Sequence, residues 1–232
     1  MSFIGAFGIG DRDLVAFTGA GGKTTLLLAL GHELMSRQKT VVLGTTTRMG
    51  TDQIPLWADV GSPDNLGPAT TFVVESTDGP KVMGSPPEVF DKIFESTDYV
   101  LIEADGARRR QIKAPAPHEP VIPSDTTVVA VVAGLGALGR PISEVAHRPE
   151  RVAEVTGMRP DDTVTSETMA TLITSLDGGL AKVPDRARVV VTLTGEGDAS
   201  EVIARTSTHP RIERVFATSS KEEASSREQA RK

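Results

Sequence analysis

The chain predicts a three-layer α/β domain with a mostly parallel central sheet. Three observations carry that expectation. Apolar runs rich in Val, Ile, Leu and Phe recur at 14–17, 40–43, 99–102, 128–133, 188–193 and 214–218, and each is short and bounded by turn residues, as strands buried on both faces are. Stretches with helical spacing of apolar residues lie between several of these runs, the alternation that a parallel sheet needs for its crossovers. The first run passes directly into Thr18-Gly19-Ala20-Gly21-Gly22-Lys23-Thr24-Thr25 and then a row of leucines. Strand, glycine loop, helix is the context of a phosphate-binding P-loop. The domain is therefore expected to be P-loop NTPase-like, to occupy 1–220 of the 232 residues as one unit, and to leave a polar tail at 221–232.

Each residue type in the loop has a task. Gly19, Gly21 and Gly22 allow backbone N–H groups to close around an anion without side-chain collisions, and the helix that follows points its positive end at the same anion. The amides of Gly19, Ala20, Gly21, Gly22, Lys23, Thr24 and Thr25 are the expected nucleotide cradle, with Lys23 reaching the β- and γ-phosphates and the Thr24 hydroxyl on Mg²⁺. The full pattern places a glycine six residues before the lysine, where this chain has Phe17. The shorter form Thr-Gly-x-x-Gly-Lys-Thr-Thr fits at every position and is similar to the loop of the Mur-type amide ligases.

Residues 2–7 are expected as a short helix or an extended arm, and 24–36 as the first long helix, with His32 at its surface or half buried. The run at 40–43 leads into Thr45-Thr46-Thr47-Arg48-Met49, at the carboxyl end of a strand, where ligands of open parallel sheets bind. Thr46 is a candidate for Mg²⁺ or its water, and Arg48 for a phosphate. Residues 51–67, rich in Pro, Asp and Gly and carrying the one tryptophan, Trp57, read as a surface loop and candidate lid. A hairpin is expected from 71–75 and 81–83 around Asp78-Gly79, and a short helix at 87–96.

Tyr99-Val100-Leu101-Ile102-Glu103-Ala104-Asp105-Gly106 resembles a Walker B strand, whose terminal carboxylate holds Mg²⁺. Glu103 is the first choice for that role and Asp105 the second, because a strand ending at Glu103 puts Asp105 in the next turn. The basic run Arg108-Arg109-Arg110 follows, then Lys113, His118 and Glu119 among prolines 115, 117, 120 and 123. Either a solvated face or an anion-binding loop fits this stretch; its stiffness suits holding Lys113, His118 and Glu119 against a substrate, with Arg108, Arg109, Lys113 or His118 facing an acceptor or developing charge. Gly134-Leu135-Gly136 allows a close approach, His147-Arg148 opens a helix, and Thr165 or Ser166 caps another reaching about 176. At 194–198, where GTPases carry Asn-Lys-x-Asp, this chain has Thr-Gly-Glu-Gly-Asp, so guanine selection is not indicated.

Composition removes whole classes of function. With no cysteine, thiolate metal sites, disulfides and cysteine nucleophiles are excluded. A net charge of -6 argues against nucleic acid as the main partner, and no apolar stretch approaches the length of a membrane span or a signal peptide. A cytoplasmic protein is expected.

Taken together, the P-loop, Thr45-Thr46-Thr47-Arg48-Met49, Glu103-Ala104-Asp105-Gly106-Ala107, Lys113-Ala114-Pro115-Ala116-Pro117-His118-Glu119-Pro120 and His147-Arg148 resemble the YqeC family, described as selenium-dependent hydroxylase accessory proteins. The resemblance implies a P-loop protein associated with maturation of molybdenum hydroxylases, acting on the enzyme or its cofactor. A selenium carrier would need a soft nucleophile that this chain lacks, so an energy-supplying or nucleotide-sensing role is expected instead. Two functions follow: Mg²⁺-dependent hydrolysis or phosphoryl transfer from ATP (or GTP), or a nucleotide-gated binding protein with little turnover of its own.

Overall fold

The computed structural model describes residues 1–62, 66 and 70–219. Its strands are β1 (Asp13–Gly19), β2 (Val41–Thr45), β3 (Met49–Gly50), β4 (Asp59–Gly61), β5 (Thr71–Val73), β6 (Ser76–Asp78) and β7 (Lys81–Met83). β8 (Tyr99–Glu103), β9 (Ile112–Lys113), β10 (Val128–Gly134), β11 (Ala146–His147), β12 (Arg188–Thr194) and β13 (Ile212–Thr218) complete them. The helices are α1 (Phe3–Phe7), α2 (Lys23–Ser36), α3 (Pro87–Phe94), α4 (Ile142–Val145), α5 (Pro149–Thr156), α6 (Ser166–Thr174) and α7 (Ser200–Thr206). Eight strands form one sheet in the order β13-β12-β10-β1-β8-β2-β5-β4, and every pairing in it is parallel.

Burial on both faces explains the near-continuous apolar runs. Val15, Phe17, Leu43, Leu101, Ala130 and Val132 pack on one side under α1 and α2. Leu14, Ala16, Val100 and Ile102 face the other side under α3, continued by Val129, Val131, Val189 and Val191 under α4 to α7. Phe17 and Leu101 are fully buried, each worth roughly 1.5–3 kcal/mol over exposure. The expected three layers are therefore present. α1 is tied to α2 by the Glu33 carboxylate, which accepts from the amides of Phe3 and Ile4 and from the Ser2 hydroxyl.

Two expectations are corrected. Thr71–Val73 does not form a hairpin with Lys81–Met83; it is buried and lies between β2 and β4 in the large sheet. The hairpin is β6–β7, joined by β3 in a separate antiparallel sheet. Proximity in sequence favours the local pairing, but Phe72 is too apolar for a surface hairpin and burial decides. The expected loop at 51–67 contains β4, whose partner β5 comes later in the chain. The remainder of that loop in part, and the tail at 221–232, lie outside the described residues. Among the described residues no helix is long and apolar enough to cross a membrane.

Candidate functional site

β1 sits between β8 and β10 with Phe17 in register with Glu103 and Gly19 with Val132. That register brings the glycine loop, the acid after β8 and the Gly134 turn to one end of the sheet. The loop is glycine by necessity. Gly19, Gly21 and Gly22 have φ of 88°, 90° and 124°, and a Cβ would meet Val132 O at 2.2 Å from Gly19 and Gly134 N at 2.5 Å from Gly21. α2 then starts at Lys23, so the Lys23 and Thr24 amides have no acceptor within the helix and open towards the loop.

Two of the expected cradle amides are already engaged. Ala20 N–H donates to Val132 O at 2.9 Å, and Gly19 N–H donates to Asp105 Oδ2 at 3.1 Å. Lys23 is buried in the same way: its Nζ donates to Gly19 O at 2.7 Å and lies 3.0 Å from Asp105 Oδ1 and 3.6 Å from Glu103 Oε1. Burial pulls the Lys23 ammonium down, but Asp105 and then Glu103 outweigh it and hold its pKa above the usual lysine value.

The two acids share Lys23 and differ in their other partners. Glu103 Oε2 accepts from the Thr24 hydroxyl at 2.7 Å, which places a carboxylate and a hydroxyl side by side at the loop. Asp105 is 1% exposed and is held between Lys23 and Lys113, whose Nζ is 3.1 Å from Oδ2. An oxygen-only pair such as Thr24 and Glu103 suits Mg²⁺, which takes one or two protein oxygens and fills its remaining positions with phosphate and water. Asp105 instead faces two ammonium groups.

Lys113, expected to face a substrate, is buried among acids. β9 pairs with β11 and buries the side chain, and its ammonium donates to Gly106 O at 2.8 Å and Glu119 Oε2 at 3.0 Å and pairs as an ion with Asp105 Oδ2 at 3.1 Å. Glu119 also accepts from Arg148 Nη1 at 2.7 Å and from the Ala116 amide at 3.3 Å. Burial alone would raise the Glu119 carboxyl; Arg148 and Lys113 reverse this and bring it to about 2. His147 is lowered to about 4, first by burial and then by Arg148 and Lys113. Arg148 itself has φ of 63°, a left-handed residue ahead of Pro149.

The remaining candidates are spread around this centre. Thr46 adjoins Glu103, its amide donating to Glu103 O at 3.1 Å, and its hydroxyl donates to Val121 O at 2.7 Å. Arg48 pairs with Asp78 on the small hairpin. Arg108 and His118 are exposed, and Arg108 adopts φ of 47°. Arg109 pairs with Asp52 at 3.0 Å. Thr25 is buried at the start of α2.

Sequence reasoning missed two parts of the site. Thr194, at the end of β12, donates its hydroxyl to Gly21 O, so the 194–198 loop leans on the phosphate loop. Gln111 caps the other flank: Gly134 N–H donates to Gln111 O at 2.8 Å, and a Cβ on Gly134 would strike the Gln111 side chain at 2.0 Å. The glycine at 134 was a visible signal; its partner Gln111, on another segment, was not.

A family model described as "YqeC protein" matches residues 15–150. "Uncharacterized protein YqeC" of Escherichia coli (strain K12) is 32% identical over 204 residues, 83% of this chain and 79% of that protein. The crystal structure of HypB from Helicobacter pylori in complex with nickel is similar at TM-score 0.42 and 12% identity, over 95% of this chain and 84% of that one, too distant to inform the chemistry. With most of both sequences aligned and the loop, the Glu103 strand and the Lys113–Arg148 network inside the matched span, the chain belongs to the YqeC family.

Proposed function

We propose that this protein binds a nucleoside triphosphate, ATP or GTP, with Mg²⁺ at the Gly19–Thr25 loop and hydrolyses it or transfers its phosphoryl group. The observation that carries this reading is the Thr24 hydroxyl 2.7 Å from Glu103 Oε2, beside the buried Lys23, at a glycine loop opening a helix. Lys23 would pair with phosphate oxygens and the first amides of α2 would donate to them. Thr24 and Glu103 would hold Mg²⁺, directly or through water, and the metal would supply neutralisation of phosphate charge. Exposed Arg108 and His118 are the groups available to an acceptor. The role proposed in the cell is cytoplasmic, an accessory step in maturation of a molybdenum hydroxylase, as family membership suggests.

The test is steady-state phosphate release with ATP and GTP, with and without Mg²⁺. Turnover that requires Mg²⁺ and disappears in Lys23→Ala supports the reading; retained nucleotide binding by Lys23→Ala overturns it. A second reading, a nucleotide-gated binding protein, is favoured by one observation: Lys23 and the Gly19 amide are already occupied by Asp105. Its signature is tight binding with negligible turnover under every condition.

A further inference from the structure

We propose that Asp105 is a built-in stand-in for phosphate: its carboxylate holds groups of the loop that would bind phosphate and gives up Lys23 when a nucleotide arrives. The inference rests on the nucleotide-binding reading above and says how that site is regulated. One oxygen, Oδ2, accepts from the Gly19 amide at 3.1 Å, and the other, Oδ1, faces Lys23 Nζ at 3.0 Å. An amide at the first glycine and the loop lysine are what a phosphate oxygen would use. Asp105 is 1% exposed, so it cannot turn to water once Lys23 leaves. A buried carboxylate needs a counter-ion in both states.

Lys113 is that counter-ion. Its ammonium is shared between Asp105 at 3.1 Å and Glu119 at 3.0 Å, and Glu119 is shared in turn with Arg148 at 2.7 Å. Charges therefore alternate from the loop to the surface: Lys23, Asp105, Lys113, Glu119, Arg148. When phosphate takes Lys23, Asp105 is left with Lys113 as its remaining cation and draws it closer. The Lys113–Glu119 contact loosens, and with it the hold of Glu119 on the Ala116 amide. The segment 114–121 and the start of α5 then report whether the loop is filled.

The experiment uses the full chain with Mg²⁺ and the non-hydrolysable analogues of ATP and GTP. Calorimetry gives affinity, and hydrogen exchange follows amides of 114–121. In the wild type, nucleotide raises exchange in this segment about fivefold or more, as expected when a charge-assisted contact weakens. Asp105→Asn replaces the competing carboxylate with a neutral amide, and it binds nucleotide about tenfold tighter with no exchange response. Weaker binding by Asp105→Asn overturns the proposal, because Asp105 would then serve the ligand or its metal. Wild-type binding without a change in exchange overturns the relay while leaving the nucleotide reading intact. Failure of the wild type to bind either analogue overturns both. The wild-type exchange measurement decides the relay even where Asp105→Asn does not fold.

Discussion

The two ends of the central sheet each bury an acid among cations, with opposite consequences. At the amino end, Asp13 accepts from the Thr127 hydroxyl at 2.6 Å, the Gly10 amide at 2.7 Å and Arg188 Nη2 at 3.2 Å to both oxygens. Its hydrogen bonding is complete, and it fixes the starts of β1, β10 and β12. At the carboxyl end, Asp105 shares its charge between two lysines, and Oδ1 meets Lys23 as an ion pair without the angle of a full hydrogen bond. A saturated acid is structural; an acid whose partners can be claimed by another anion is poised. An open cavity of about 580 Å³, lined by Arg12, Phe94, Asp125, Arg186 and Arg188, lies at the amino end. Its arginines bind neighbouring acids and carbonyls, so size does not mark the site here.

The sharpest break of this contrast is Lys23→Ala. It leaves Glu103 and Asp105 buried without their shared cation and removes the phosphate contact, so nucleotide affinity should fall about a hundredfold or more by calorimetry. Asp13→Ala should do the reverse. Loss of its several hydrogen bonds should lower stability by about 2 kcal/mol in denaturant melts, with nucleotide affinity within about threefold of wild type, a difference too small to count as a lost contact. A tenfold loss of affinity in Asp13→Ala would mean that the two ends are not separate.

Glu103→Gln sharpens the difference between the two acids at the carboxyl end. Nucleotide binding in the absence of metal should persist, while the gain in affinity on adding Mg²⁺ should shrink about tenfold, the cost of one charged ligand. An undiminished Mg²⁺ effect would move the metal away from Glu103.

The smallest effect is on pH dependence. His147 is lowered to about 4 from 6.5, so between these values the unfolded chain takes up a proton that the folded chain refuses, and stability falls as pH drops from 6.5 to 4. Glu119 is lowered to about 2 from 4.5; its contribution is present above pH 4.5 and is lost as pH falls towards 2. His147→Asn should flatten only the upper part of a melting-temperature profile. An unchanged slope above pH 4.5 would remove His147 as its source.

Much of the site was legible as motif. Gly19 to Thr24 and Glu103 announce themselves because their chemistry depends on local backbone form: glycines for positive φ, a strand end for the acid. That the strand ends at Glu103 and leaves Asp105 in the turn also followed from where an apolar run stops. The burial of Lys113 was not legible because a basic, proline-rich stretch looks solvated until its strand partner is known, and β11 lies more than thirty residues later. Thr71–Val73 went to the wrong sheet for the same reason.

Sequence alone determined the layered α/β class, the central strand that runs into the glycine loop and the residue types of that loop, because these rest on short-range periodicity and backbone stereochemistry. Only the tertiary structure decided who neutralises whom. Lys23, the stretch holding Asp105, Lys113 and Glu119, and Arg148 lie far apart in sequence, and in a low-dielectric interior the energy of each charge depends on its distance to the others. No local pattern encodes those distances.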